Sequence, residues 1–193
     1  SSVTLNFISP GADQNTKMYY LHKDNIMDTN EPSEGKSQNI ELQSAITKWD
    51  GLILNDRNKI IKDVSVELFI KYFNLLNPGK IKVAVSLFDG DNEISDPEIK
   101  ELDRSNIQAK TPTTFTFENV NYELEYEHGL SIGVSLANGS NPRFRKVKLL
   151  FDSTENPSSV KVTFSETDNI QFNYSVDPID GLIVPGGSVK YTL

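Results

Sequence analysis

The stretch Val64–Phe73, "VSVELFIKYF", followed across "NPGK" by Ile81–Phe88, "IKVAVSLF", decides the fold. Val64, Val66, Leu68, Ile70 and Tyr72 recur at every second position, as do Ile81, Val83, Val85 and Leu87. Successive side chains of a strand point to opposite faces, so this period gathers each set on one face; a helix would need apolar residues every third or fourth position. Phe69, Phe73, Ala84 and Phe88 put further apolar or small residues on the opposite faces, as in strands covered on both sides.

The same period runs outward through the chain. Val3, Leu5 and Phe7 alternate with Thr4, Asn6 and Ile8, and Lys17–His22, "KMYYLH", reads as a second strand. Further strands are expected at Phe115 and Phe117, at Tyr122, Leu124 and Tyr126, and at Leu130, Ile132, Val134 and Leu136. Val147, Leu149 and Phe151 continue the pattern, as do Val160, Val162 and Phe164, then Ile170, Phe172, Tyr174 and Val176, and finally "SVKYTL" at the end. Between them, "DNIMDTNEPSEGK" from Asp24 reads as a loop, and "NIELQSAITKW" from Asn39 as a short strand with an irregular return. "DPEIKEL" sets Asp96 and Pro97 as N-cap and first residue of a helical turn. About ten strands joined by polar turns, with no strand–helix alternation, predict an all-β fold. The expected architecture is a two-sheet antiparallel β-sandwich, jelly-roll-like, with 1–193 as a single domain.

Composition excludes several classes. A net charge of −8 repels nucleic-acid phosphates and anionic lipid, so nucleic acid is no expected partner. No apolar run approaches the roughly 18 residues of a spanning helix, so membrane insertion is not expected. Cysteine is absent, which removes disulfides, thiolate nucleophiles and cysteine-bound metals. The chain opens at Ser1 without a methionine or apolar leader, as a mature exported chain would, and carries two sequons, Asn138-Gly139-Ser140 and Asn173-Tyr174-Ser175.

Three groups of residues raise chemistry. Asp89, Asp91, Glu93 and Asp96, in "DGDNEISD", set hard oxygen ligands on a short loop after a strand, as calcium needs. The loop is no EF-hand, because Ile94 stands where the glycine belongs and Lys100 where the last glutamate belongs. Asp50 and Asp56, in "WDGLILND", form a weaker set of the same kind. Glu123, Glu125 and Glu127 would share one strand face at about 6.5 Å per step, within reach of two-carboxylate glycoside chemistry. "ELEYE" resembles the E-x-D-x-E strand of certain jelly-roll glycosidases, but Glu125 replaces the aspartate and Trp49 is the chain's single tryptophan. The reading adopted is the polar side of a strand opposite Tyr122, Leu124, Tyr126 and His128. His22 and His128 read as packed strand residues, since neither a G-x-S-x-G elbow nor a phosphate-binding glycine motif occurs.

Tyr19–His22, "MDTNEP", the tryptophan before a loop, "VSVELFIKYF" and "KIKVAVSLFDG" together resemble jelly-roll modules of archaeal and bacterial surface and secreted proteins, over about Lys17–Phe164. The resemblance implies an extracellular, cell-surface location. Some such modules are self-assembling fibre subunits in which a terminal strand completes a neighbour's sheet. "SSVTLNFIS" and "SVKYTL" are terminal and strand-like, as pairing within the chain or strand addition requires. The expected function is therefore a non-catalytic, extracytoplasmic, self-associating structural module stabilised by calcium, with homo-oligomers or other surface proteins as partners. The alternative is a carbohydrate-binding module, whose polysaccharide would stack on Trp49, Tyr19 or Tyr126.

Overall fold

The computed structural model describes residues 15–33, 35–51, 59–72, 80–102, 111–125, 127–138, 140 and 147–166, all within the compact unit Asp13–Thr167. The strands expected near both termini, including Ile170, Phe172, Tyr174 and Val176, lie outside the described residues. The fold is all-β and sandwich-like, with thirteen strands among the described residues and one 3-10 turn, Lys23–Asn25.

Strand β5 (Lys59–Tyr72) organises one side of the ladder. Along one edge it pairs first with β13 (Ser159–Glu166) and then with β12 (Val147–Phe151), both antiparallel. Its other edge takes β9 (Thr113–Phe117) and β10 (Tyr122–Glu123). Outward from these lie β3 (Gln38–Glu41) on β12, and β1 (Asn15–His22) on β13, followed by β2 (Ile26–Asp28) on β1. A second group is built on β11 (Leu130–Leu136), flanked by β4 (Thr47–Gly51) and β6 (Ile81–Asp89). β6 also carries β7 (Asn92–Glu93) and β8 (Glu98–Leu102). The groups are joined by β2 and β4, the one parallel pair among the described residues, where Ile26 faces Asp50 and Met27 faces Gly51.

The alternation in sequence becomes burial as expected. Val64, Val66 and Leu68 of β5 and Val83, Val85 and Leu87 of β6 are wholly buried and belong to one apolar cluster. Each such side chain removed from water stabilises the fold by about 1.5–3 kcal/mol before the entropy cost of ordering it. Trp49 of β4 meets the ring of Phe151 of β12 edge-on, with centroids 5.5 Å apart, and so binds the two groups together through that core.

Three local expectations are corrected. The loop expected after Asp24 contains β2, in which Met27 is fully buried; three residues are too few to show a period, and pairing partners on both sides create the strand. The helical turn expected from Asp96 is instead β8, because pairing of Glu98–Leu102 with Ile81–Val85 satisfies the backbone and buries Leu102. The glutamate strand stops at Glu123, and Glu127 sits in a turn at φ 65°.

Candidate functional site

The Asp89 loop is a tight hairpin. Asp89 pairs with Asn92, leaving Gly90, at φ 57°, and Asp91 as the two turn residues. Asp89 itself turns inward and is fully buried. Its Oδ2 accepts from the Tyr122 hydroxyl at 3.1 Å and the Glu125 amide at 3.0 Å, and its Oδ1 faces His128 Nδ1 at 2.8 Å. A carboxylate only accepts, so Nδ1 carries the proton of that bond. Burial raises the Tyr122 phenol above its usual pKa, and the hydrogen bond to Asp89 adds to the rise. The missing side chain of Gly90 makes room for the imidazole, since a Cβ there would lie 3.2 Å from His128 Cε1.

This geometry divides the four expected calcium ligands. Asp89 is committed to Tyr122, Glu125 and His128, while Asp91 is fully exposed and pairs with Lys48 at 3.3 Å. Glu93 and Asp96 are exposed at separate points of the chain. Among the described residues no three histidine, aspartate or glutamate side chains converge as a metal cage. Asp50 accepts from Ser131 Oγ at 3.1 Å and faces Lys48 at 3.5 Å; Asp56 lies outside the described residues.

The second histidine ends β1 and makes a tie of its own. His22 ends β1 with Nδ1 2.7 Å from Asp152 Oδ1, while Nε2 lies 3.2 Å from Asp28 Oδ1 and 3.1 Å from the Asn30 carbonyl. Asp152, at φ 56°, also accepts from the Lys23 amide at 3.2 Å. The His22 carbonyl accepts from Trp49 Nε1 at 3.1 Å, which satisfies the indole of the buried ring. Burial would raise the Asp28 carboxyl, but hydrogen bonding from the Asn30 amide and the nearby His22 outweigh it, and the group titrates below the usual aspartate value.

The remaining candidates do not gather. Glu123, Glu125 and Glu127 are all exposed, but the chain leaves the strand after Glu123, so they form no ladder. His128, expected opposite them among apolar neighbours, is tied to Asp89 and lies 3.8 Å from Glu125. Trp49 is fully buried and Tyr19 nearly so, which removes them as sugar-stacking platforms; Tyr126 lies outside the described residues. Sequence reasoning missed the His22–Asp152 and His128–Asp89 pairings. Asp89-Gly90 after an apolar strand signalled a turn, but nothing local marks an aspartate 130 residues away as a histidine's partner.

No protein-family model matches the sequence, and no curated protein matches it either. Among solved structures the fold is similar to part of an aminopeptidase from the marine sediment archaeon Thaumarchaeota archaeon, with TM-score 0.54 and 9% identity over 81% of this chain and 38% of that one. It is also similar to part of a CocE/NonD family hydrolase from Staphylococcus aureus, with TM-score 0.55 and 8% identity over 79% and 37%. An α-amino acid ester hydrolase gives TM-score 0.54 and 11% identity over 77% and 36%. Identities this low carry the fold alone, and this chain spans less than two-fifths of the length of each. The class the fold defines is a sandwich-like all-β module.

Proposed function

We propose that this chain is a non-catalytic β-sandwich module that acts by association, as a structural part of an extracytoplasmic surface. One observation carries the reading: the side chains best suited to chemistry serve as internal ties. Both histidines hold carboxylates that join distant strands. Ser158 bridges Leu150 and Phe69, while Ser153 and Ser37 share a hydrogen bond. The resemblance to surface jelly-roll modules supports the location. Size-exclusion chromatography with electron microscopy, with and without calcium and residues 1–9, tests it. Concentration-dependent assembly is expected; a strict monomer indifferent to both changes contradicts it.

A second reading is favoured by the comparisons: a non-catalytic accessory part of a hydrolase. Its support is that the likeness covers 77–81% of this chain but only 36–38% of the hydrolases. Incubation with aryl esters and aminoacyl anilides separates a module from an enzyme. No turnover is expected from this chain; turnover that disappears in His128→Gln contradicts both readings.

A further inference from the structure

Strand β3 lies at the end of the ladder, and among the described residues one of its two edges carries no partner strand. The register settles which backbone groups face that open edge. The Leu42 amide donates to the Val147 carbonyl at 2.8 Å, so these two residues form a hydrogen-bonded pair that continues the β3–β12 ladder. Such pairs alternate along an antiparallel ladder, so Ile40 bonds to Leu149 and Gln38 to Phe151. Asn39 and Glu41, opposite Leu150 and Lys148, therefore turn their amides and carbonyls away from β12. A row of such groups is a template for another strand, and β3 carries neither the proline nor the lysine that commonly blunts an edge.

We propose that this edge pairs with the same edge of a second copy, antiparallel and about a two-fold axis through Ile40. The inference rests on the association reading and gives it a surface within the described fold. Three features select this occupant and this register. With Asn39 opposite Glu41 of the second copy, both residues of each strand exchange their outward amides and carbonyls. Setting Glu41 opposite Glu41 would instead place acid against acid, which destabilises a strand pair.

The second feature is charge. Lys148 Nζ donates to Asn39 Oδ1 at 2.8 Å, and Asn39, Glu41 and Lys148 share one face of the sheet. Each Glu41 thus arrives beside the other copy's Lys148. A net charge of −8 sets two copies repelling one another, which favours a register that brings opposite charges together. The third is apolar: Ile40, half-buried against the core, meets its own counterpart at the axis and extends the apolar layer across it. Four residues on each side cover far less than the roughly 800 Å² per partner of a stable interface, so the pair is transient and is detected by trapping it.

The chain has no cysteine, so a single introduced thiol reports the pairing. Across the axis the two residue-40 Cα atoms would lie about 4.5 Å apart, within disulfide range, and the two residue-39 Cα atoms roughly 8 Å apart, outside it. Under mild oxidation at low ionic strength, Ile40→Cys should be trapped as a disulfide-linked dimer many-fold faster than Asn39→Cys. Added to Ile40→Cys, either Glu41→Lys or Lys148→Glu should slow trapping, and mixing those two chains should restore it between unlike copies. Equal trapping at the two positions, or trapping unchanged by the charge reversals, overturns the proposal. A chain that assembles in solution without this trapping overturns the β3 surface and leaves the association reading intact; trapping in a chain that forms nothing larger supports the surface alone.

Discussion

At the scale of single residues, two aspartate–histidine ties join distant strands among the described residues, and their energetics follow from burial. Asp89 has no contact with solvent, so its charge depends on Tyr122, Glu125 and His128 for all the hydrogen bonding that water would supply. Asp89→Ala leaves those donors facing an empty space and is expected to destabilise the fold by about 3 kcal/mol, read as a shift in the denaturant midpoint. His22 and Asp28 form a largely buried counterpart, their side chains 18% and 20% exposed. The folded Asp28 carboxyl titrates below its usual value of 3.8, so its contribution is fully present above that value. That contribution is lost as pH falls through the lower folded value. Thermal unfolding of Asp28→Asn should therefore differ from the unaltered chain at neutral pH, and the difference should shrink in acid. Gly51 is a steric requirement of another kind, because a Cβ there would lie 2.0 Å from the Leu130 carbonyl oxygen. Gly51→Ala must push β4 from β11, at an expected cost of about 1–3 kcal/mol by chemical denaturation. None of these three roles was legible in the sequence, since each depends on a neighbour far away along the chain.

At the scale of elements, the long strands were legible and the short ones were not. Val64 to Ile70 in β5, Ile81 to Leu87 in β6 and Leu130 to Leu136 in β11 alternate long enough for the period to identify them. β2 and β8 carry no such signal, and edge pairing decides them: Met27 is drawn between β1 and β4, and Glu98–Leu102 lies along β6. The β12–β13 connection shows how such a decision is enforced. Opposite Leu68 the partner chain leaves the ladder after Leu150 and rejoins it at Ser159. Ser158 closes the gap by donating to the Leu150 carbonyl at 2.6 Å and accepting from the Phe69 amide at 3.0 Å, while its own carbonyl receives the Leu21 amide. Ser158→Ala leaves a part-buried donor, the Phe69 amide, and a part-buried acceptor, the Leu150 carbonyl, without this partner and should cost about 1 kcal/mol. Hydrogen exchange should show faster opening of the Phe69 amide in that variant, with the Val64 and Val66 amides unchanged.

At the scale of the whole molecule, the all-β class followed from alternation alone, because every long apolar period is two. The candidate site was less legible: the Asp89 loop drew attention for its carboxylates, yet Asp89, the first of them, faces the interior and joins β6 to the chain around His128. Placing an acid beside a histidine requires the fold, not the spacing. The described histidines tie strands together internally, and the proposed action of the module is association. The most direct measurement is sedimentation velocity of the full chain across a wide concentration range, with and without calcium. The account predicts species larger than the monomer that grow with concentration and are lost when residues 1–9 are removed. A single monomeric boundary at every concentration, unchanged by calcium or by that truncation, would contradict it.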